Sequence, residues 1–318
     1  MKTFDEIYEE LQSGDNNELN NLWKEAQIKS EKANKISLTT CLIIDILVII
    51  ILFKIVIKAN SIFVIMPLLI PILVINLFVY VIMKVIFSGK ETIKYHQKYK
   101  GVVINKLMNN FYNKLDYFPD KEMPEYIYEK LQYERYNIYI SEDYFEALIN
   151  NKNSIQMAEV LTQEEEEYKD SDGNTQTKTI TKFQGLFAKI ELDKSINSEL
   201  KIGQNGVLFS GKRIKMDSSE FEKYFDVKAS NQIIGMQLLT ADVMEELVDF
   251  INKTNIMFDI YIKGNELYLR FHSGNMFEPT NLKNGPLDKN TIQKYFYMLN
   301  FTYNLSNRLI NLVNETEI

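Results

Sequence analysis

The sequence predicts an α+β protein: a two-helix transmembrane hairpin, a cytosolic helical stalk, and an antiparallel-sheet domain packed by helices. Three observations predict it. Residues 36–87 hold two long apolar runs separated only by Lys58-Ala59-Asn60-Ser61. Basic residues gather outside the runs, with Lys24, Lys29, Lys32 and Lys35 before the first and Lys90, Lys94, Lys98 and Lys100 after the second. From about residue 136 helical periodicity gives way to strand-like alternation broken by turn residues.

The expected organisation is N-terminal helices over 1–35, the hairpin over 36–87, a helical stalk over 88–135, and an α+β domain over 136–318. In the leader, Phe4, Ile7, Tyr8 and Leu11 form one helical stripe, and Leu19, Leu22, Trp23 and Ala26 form another. Ser13-Gly14-Asp15 punctuates them, with Asp15 or Asn16 as a cap. A cleaved signal peptide is not expected, because the first apolar run starts late and is too long.

Each apolar run, Ile36 to Ile57 and Ile62 to Phe87, supplies the roughly 20 residues a membrane span requires. Only Lys58, helped by Lys54, is basic near the turn, so the positive-inside bias places both termini in the cytoplasm of a multi-pass plasma-membrane protein. Asp45 lies deep in the first span, where an ionisable group is costly. Counting outward from the turn puts Asn76 within a helical turn of the same depth, so an Asp45–Asn76 hydrogen bond is expected. Pro67 and Pro71 are expected to kink the second span.

Past the spans, Ser88 to Leu115 reads as helix on the stripe of Ile104, Leu107, Met108, Phe111 and Leu115, ended by Pro119 and Pro124. Asn153 to Gln163 and Thr175 to Leu192 read as strands joined by an acidic tip, Glu164 to Glu167 and Asp170 to Asn174. Gly173 stands only three residues after Asp170, which does not fit an EF-hand loop. The firmest local prediction is a hairpin from Met257 to His272 turning at Gly264-Asn265. That register pairs Phe258 with Phe271, Ile260 with Leu269 and Ile262 with Leu267 on an apolar face, and Asp259 with Arg270 and Tyr261 with Tyr268 on the other. Helices are expected at Ser219 to Phe225, after Thr240, and over Asp288 to Val313.

Chemistry is sparsely signalled. Histidine is confined to His96 and His272, and the sole cysteine, Cys41, lies in the first span, so no Cys/His zinc site is expected within one chain. No nucleophile elbow, phosphate-binding loop or dinucleotide fingerprint occurs. A net charge of −7 without a dense basic segment argues against nucleic acid. No cofactor or metal is expected.

The blocks Phe183-Gln184-Gly185-Leu186-Phe187, Phe221-Glu222-Lys223-Tyr224-Phe225, Leu238-Leu239-Thr240 and Met276-Phe277-Glu278-Pro279 resemble those of an uncharacterised domain-of-unknown-function family of bacterial membrane proteins. The resemblance covers roughly residues 36–280, leaving out the leader and the C-terminal helix. It implies two adjacent spans, no accepted activity, and a LemA-type membrane protein as a partner. Phe183, Gly185 and Phe187 alternate as a buried strand face does, and Phe277 and Pro279 suit either a loop anchor or an exposed feature; together the five are the candidate binding surface, since aromatics and glycine suit packing or recognition more than bond-breaking.

The functional expectation is a membrane-anchored cytosolic protein-binding or scaffold module, in contact with the bilayer and with a protein partner or a second copy. Two alternatives compete. One is a channel or transporter subunit using Asp45; the other is a membrane-associated enzyme built on Asp259, Arg270 and His272.

Overall fold

A computed structural model describes residues 1–14, 16–59, 66–169, 171, 173–204, 212–279 and 282–315. The chain forms two compact units, one of Tyr8–Val102 with Pro279–Thr291, the other of Met1–Ile7, Val103–Glu278 and Ile292–Ile318. Asp15, the centre of the expected span turn, the start of the second apolar run, Asp170 and Asp172 lie outside the described residues.

After α1 (Phe4–Ser13), the first unit is dominated by α2 (Asn17–Ala59) and α3 (Met66–Tyr99), both long and apolar enough to cross a membrane. Leu42, Ile49, Phe53, Leu73, Leu77 and Phe78 are each more than half exposed within the chain. Their surroundings must come from elsewhere. The two helices run antiparallel along a shared seam. Asn76 bonds Asp45, the Tyr80 hydroxyl donates to Asn34 Oδ1 at 3.1 Å, Lys29 faces Glu91 at 3.9 Å, and Lys98 pairs with Glu18. Ala26, Ala33 and Ser37 of α2 are buried, and such small side chains permit close helix approach. Both helices therefore extend well beyond their apolar runs. Pro71 lies inside α3.

A π-helical stretch, Lys100–Ile104, follows α3. In the second unit α4 (Asn105–Phe111) ends where Tyr112 adopts extended backbone angles, and β1 (Asn113–Phe118) begins. The expected helix through Leu115 and helical stalk to 135 are thus corrected. Leu115 and Tyr117 alternate with Lys114 and Asp116, a two-residue period that pairing with the next strand selects over the helical stripe. The short α5 (Glu125–Glu129) follows Pro124.

The sheet is antiparallel, in the order β1, β2 (Ile138–Ile149), β3 (Asn153–Lys169), β4 (Thr175–Gln204), β6 (Phe225–Ala229), β5 (Arg213–Ile214), with β7 (Phe258–Phe271) paired to β4. β3 and β4 run past β2 as an exposed two-stranded ribbon, pairing Glu164 through Glu167 with Ile180 through Thr177.

The long β7 doubles back at Gly264, whose φ is +59°. His272 N–H donates to Met257 O at 2.9 Å, Phe258 and Phe271 lie 5.5 Å apart, and Tyr261 stacks on Tyr268 at 5.9 Å. These are the facing pairs expected from sequence. Their setting was not expected. Leu186 to Glu191 of β4 pair with Phe271 to Glu266, whereas Ile196 to Ile202 pair with Gly264 to Ile260. The hairpin is therefore inserted between two segments of β4, which arches over its tip near Ser195.

Both faces of the hairpin are buried. On one, Phe250 of α8 (Ala241–Thr254) and Phe301 of α9 (Lys289–Glu315) pack on Phe258 and Phe271. On the other, Met123, Ile127, Tyr128 and Leu131 cover Phe183, Phe187, Tyr261 and Tyr268. Two short helices complete the fold. α6 (Phe221–Tyr224) precedes β6, and α7 (Gln232–Leu238) is capped by Asn231, whose side chain accepts from Ile233 and Ile234 N–H. Asp288 caps α9 through Thr291 N–H at 3.0 Å.

Candidate functional site

In the hairpin unit, Asn76 Nδ2 donates to Asp45 Oδ1, and Cys41 Sγ approaches Asn76 O at 3.5 Å. Asp45 is thus engaged with the opposite helix.

The expected binding surface does not face outward. Phe183, Gly185, Phe187, Phe277 and Pro279 are all buried, as the alternation of the first three along their strand predicts. The reason is local. Phe183 and Phe187 point into the aromatic layer with Tyr128, and Phe277 packs edge-on against Tyr295 at 5.8 Å. Gly185 is a point of close approach: a Cβ there would stand 1.9 Å from Phe271 O. That contact lets Ser273 Oγ accept from Leu186 N–H at 3.2 Å and Gly274 N–H reach Gln184 O at 3.2 Å.

The sequence blocks around Gly185 and Met276 meet at a residue the sequence reading passed over. Glu159 on β3 is buried, and its Oε1 accepts from Met276 N–H at 2.7 Å and Phe277 N–H at 2.8 Å. Beside it on β2 sit Glu142, its direct pairing partner, and Asp143, in the bulge that follows. Asp143 has φ +56°, its N–H donates to Pro119 O at 3.0 Å, and Tyr117 donates to its carboxylate. Asn275 Nδ2 donates to Glu142 Oε1 at 3.2 Å. Burial, then the nearby Asp143 charge, push the Glu159 carboxyl up to about 8 against the two backbone donors. The same burial and the Asp143 charge push the Tyr117 phenol far upward. A signal for Glu159 did exist: it alternates with Ile155 and Met157, so it falls on an inward face of its strand.

The candidate catalytic set is a packed ion-pair network. Arg270 is 4% exposed, bonding Glu134 Oε2 through Nη1 at 2.7 Å, with Nε 3.5 Å from Asp259 Oδ2. Its guanidinium lies 4.5 Å from the ring centres of both Tyr133 and Phe183. His272 Nε2 lies 3.1 Å from Asp259 Oδ2. Two carboxylates and three rings, Tyr128 being the third at 5.7 Å, surround the one guanidinium, an arrangement that locks the hairpin to the 123–136 segment.

The second unit also has an open concave surface. A groove of about 830 Å³ lies between α8 and α9. Asp242, Glu245, Glu246 and Asp249 line its α8 wall, and Phe250 stacks on Phe301 at 3.8 Å at its base. Arg308 bridges Asp242 and Glu246 across the groove. Tyr297, on the α9 side, is 51% exposed.

Residues 181–310 match a family described as protein of unknown function (DUF3137). The match begins at the Phe183 block and takes in most of α9, which the sequence resemblance left out, while residues 36–180 lie outside it. No curated protein matches. The crystal structure of the mycobacterial trehalose monomycolate transport factor A, TtfA, is similar with a TM-score of 0.30 and 7% identity, over 64% of this chain and 94% of that one.

Proposed function

We propose that this chain is a membrane-anchored binding module, held by α2 and α3 as a hairpin with both termini in the cytoplasm. The observation that carries this reading is the exposed apolar surface of those helices, in whose apolar windows no residue is fully buried within the chain. A bilayer is the solvent that such a surface requires, and the lysines flanking the apolar runs give it an orientation. In this setting the Asp45–Asn76 bond serves as glue between the spans, since a polar pair in hydrocarbon is stabilised by meeting its partner.

The binding face we assign is the α8–α9 groove rather than the buried aromatic block. Its four carboxylates outnumber Arg308 and Lys253, and its base is aromatic. This combination suits a basic segment of a partner protein that carries apolar anchors.

A photo-reactive amino acid in place of Tyr297, in the full-length protein in its native membrane, tests the assignment. The expected result is a discrete protein adduct that disappears with Glu245→Lys and Asp249→Lys. An adduct indifferent to both reversals, or no adduct, contradicts it.

A further inference from the structure

We propose that the buried Glu159, with Glu142 and Asp143 beside it, forms a binding site for a hard divalent cation. The inference concerns a different part of the sheet unit from the groove and stands independently of the anchoring reading.

One ligand oxygen from each of the three carboxylates lies within 4.8 Å of the other two. Oxygens bound to one calcium ion at about 2.3–2.6 Å lie no more than about 5 Å apart, so the cluster already has the span of a coordination shell. A second observation points to a ligand. Glu159 is 5% exposed, and although its Oε1 is satisfied by two backbone donors, Oε2 has no hydrogen-bond partner among the described residues. A buried carboxylate oxygen left unmatched is costly, and a cation is the partner that three converging carboxylates select.

The framework around the cluster is fixed. Tyr117 holds Asp143 from β1, Asn275 holds Glu142, and the Met276 and Phe277 amides hold Glu159. A cavity of about 100 Å³ adjoins it, lined by Glu142 and Glu159 together with Ser141, Gln184 and Asn275. That space accommodates the waters that complete a six- to eight-oxygen shell. The donor set is all oxygen, which favours calcium, magnesium or manganese over softer metals.

The test uses the full-length protein in detergent after chelator treatment, titrated with calcium chloride, magnesium chloride or terbium chloride. Melting temperature should rise by about 5 °C at a hundredfold excess of calcium or magnesium over Kd. Terbium should luminesce on tyrosine excitation through the adjacent Tyr117. Both responses should vanish in Glu159→Gln and Asp143→Asn. Glu159→Gln keeps the acceptor for the two amides and removes the buried charge, so in chelator it should melt no lower than the parent. If either variant fails to fold, Glu142→Gln, at a partly exposed position, should weaken binding at least tenfold. No cation-dependent shift in the parent overturns the proposal, as does a shift unchanged in the variants. Stabilisation by Glu159→Gln with no cation response in the parent would assign the cluster to a proton alone, and also overturns it.

Discussion

Gly185 shows how much of this fold depends on the absence of one side chain. The Phe271 carbonyl occupies the space a Cβ would need, and Ser273 N lies 2.7 Å from the same position. Because both are backbone atoms on the inserted hairpin, neither can swing aside as a side-chain end could. Gly185→Ala should therefore cost more than about 4 kcal/mol, read by thermal or denaturant unfolding of the full chain. A loss below about 1 kcal/mol would mean that the strands separate there at little cost. Glu266, at the hairpin shoulder, gives a pH prediction. Burial opposes its ionisation, but hydrogen bonds from Tyr268, Lys130 and Lys189 overcome this and hold its carboxyl near 2. A depressed folded value means that the contribution is present above the unfolded value near 4.3 and is lost as pH falls through about 2. Glu266→Gln should flatten the acid limb of the stability curve across that window and lower stability at pH 7 by about 1 kcal/mol, after allowance for solvent screening. An unaltered acid limb would contradict the assignment.

The elements show why some of the fold was legible in sequence and some was not. The register of β7 could be read because Phe258–Phe271, Asp259–Arg270 and Tyr261–Tyr268 agree on one pairing, and a one-residue slip would break all three. Its insertion between the segments of β4 could not, because pairing partners distant in sequence leave no local period. β1 was hidden for a different reason: Leu115 continues the helical stripe of Phe111, and only the strand partner decides between the two periods. Glu159 was hidden because its meaning depends on the Met276–Phe277 amides more than a hundred residues away. The helix layer supplies a paired prediction. Phe301 stacks on Phe250 and touches Phe258 and Phe271, so Phe301→Ala should cost about 3–5 kcal/mol. Tyr297, half exposed on the same helix, should change stability by no more than about 0.5 kcal/mol when replaced by Ala. Equal losses from the two would place α9 differently on the sheet.

At the scale of the whole molecule, two kinds of surface divide the labour. The α2–α3 unit leaves large apolar side chains uncovered along both helices, whereas the sheet unit has a buried apolar layer on each face of its β7 hairpin and only scattered exposed apolar side chains. The two long apolar helices were legible because two apolar runs of about twenty residues stand on either side of a short polar break. No binding face was legible, because aromatic motifs of this kind mark a core as readily as a contact surface. The central claim, a membrane hairpin with the sheet unit on the cytoplasmic side, is tested most directly by cysteine accessibility. In a Cys41→Ser background, Asn60→Cys and Lys253→Cys are treated in intact cells with a membrane-impermeant maleimide. The account predicts labelling at Asn60→Cys before permeabilisation, and at Lys253→Cys, on the exposed side of α8, only afterwards. Labelling of Lys253→Cys in intact cells, or a protein released from membranes by alkaline carbonate, would contradict it.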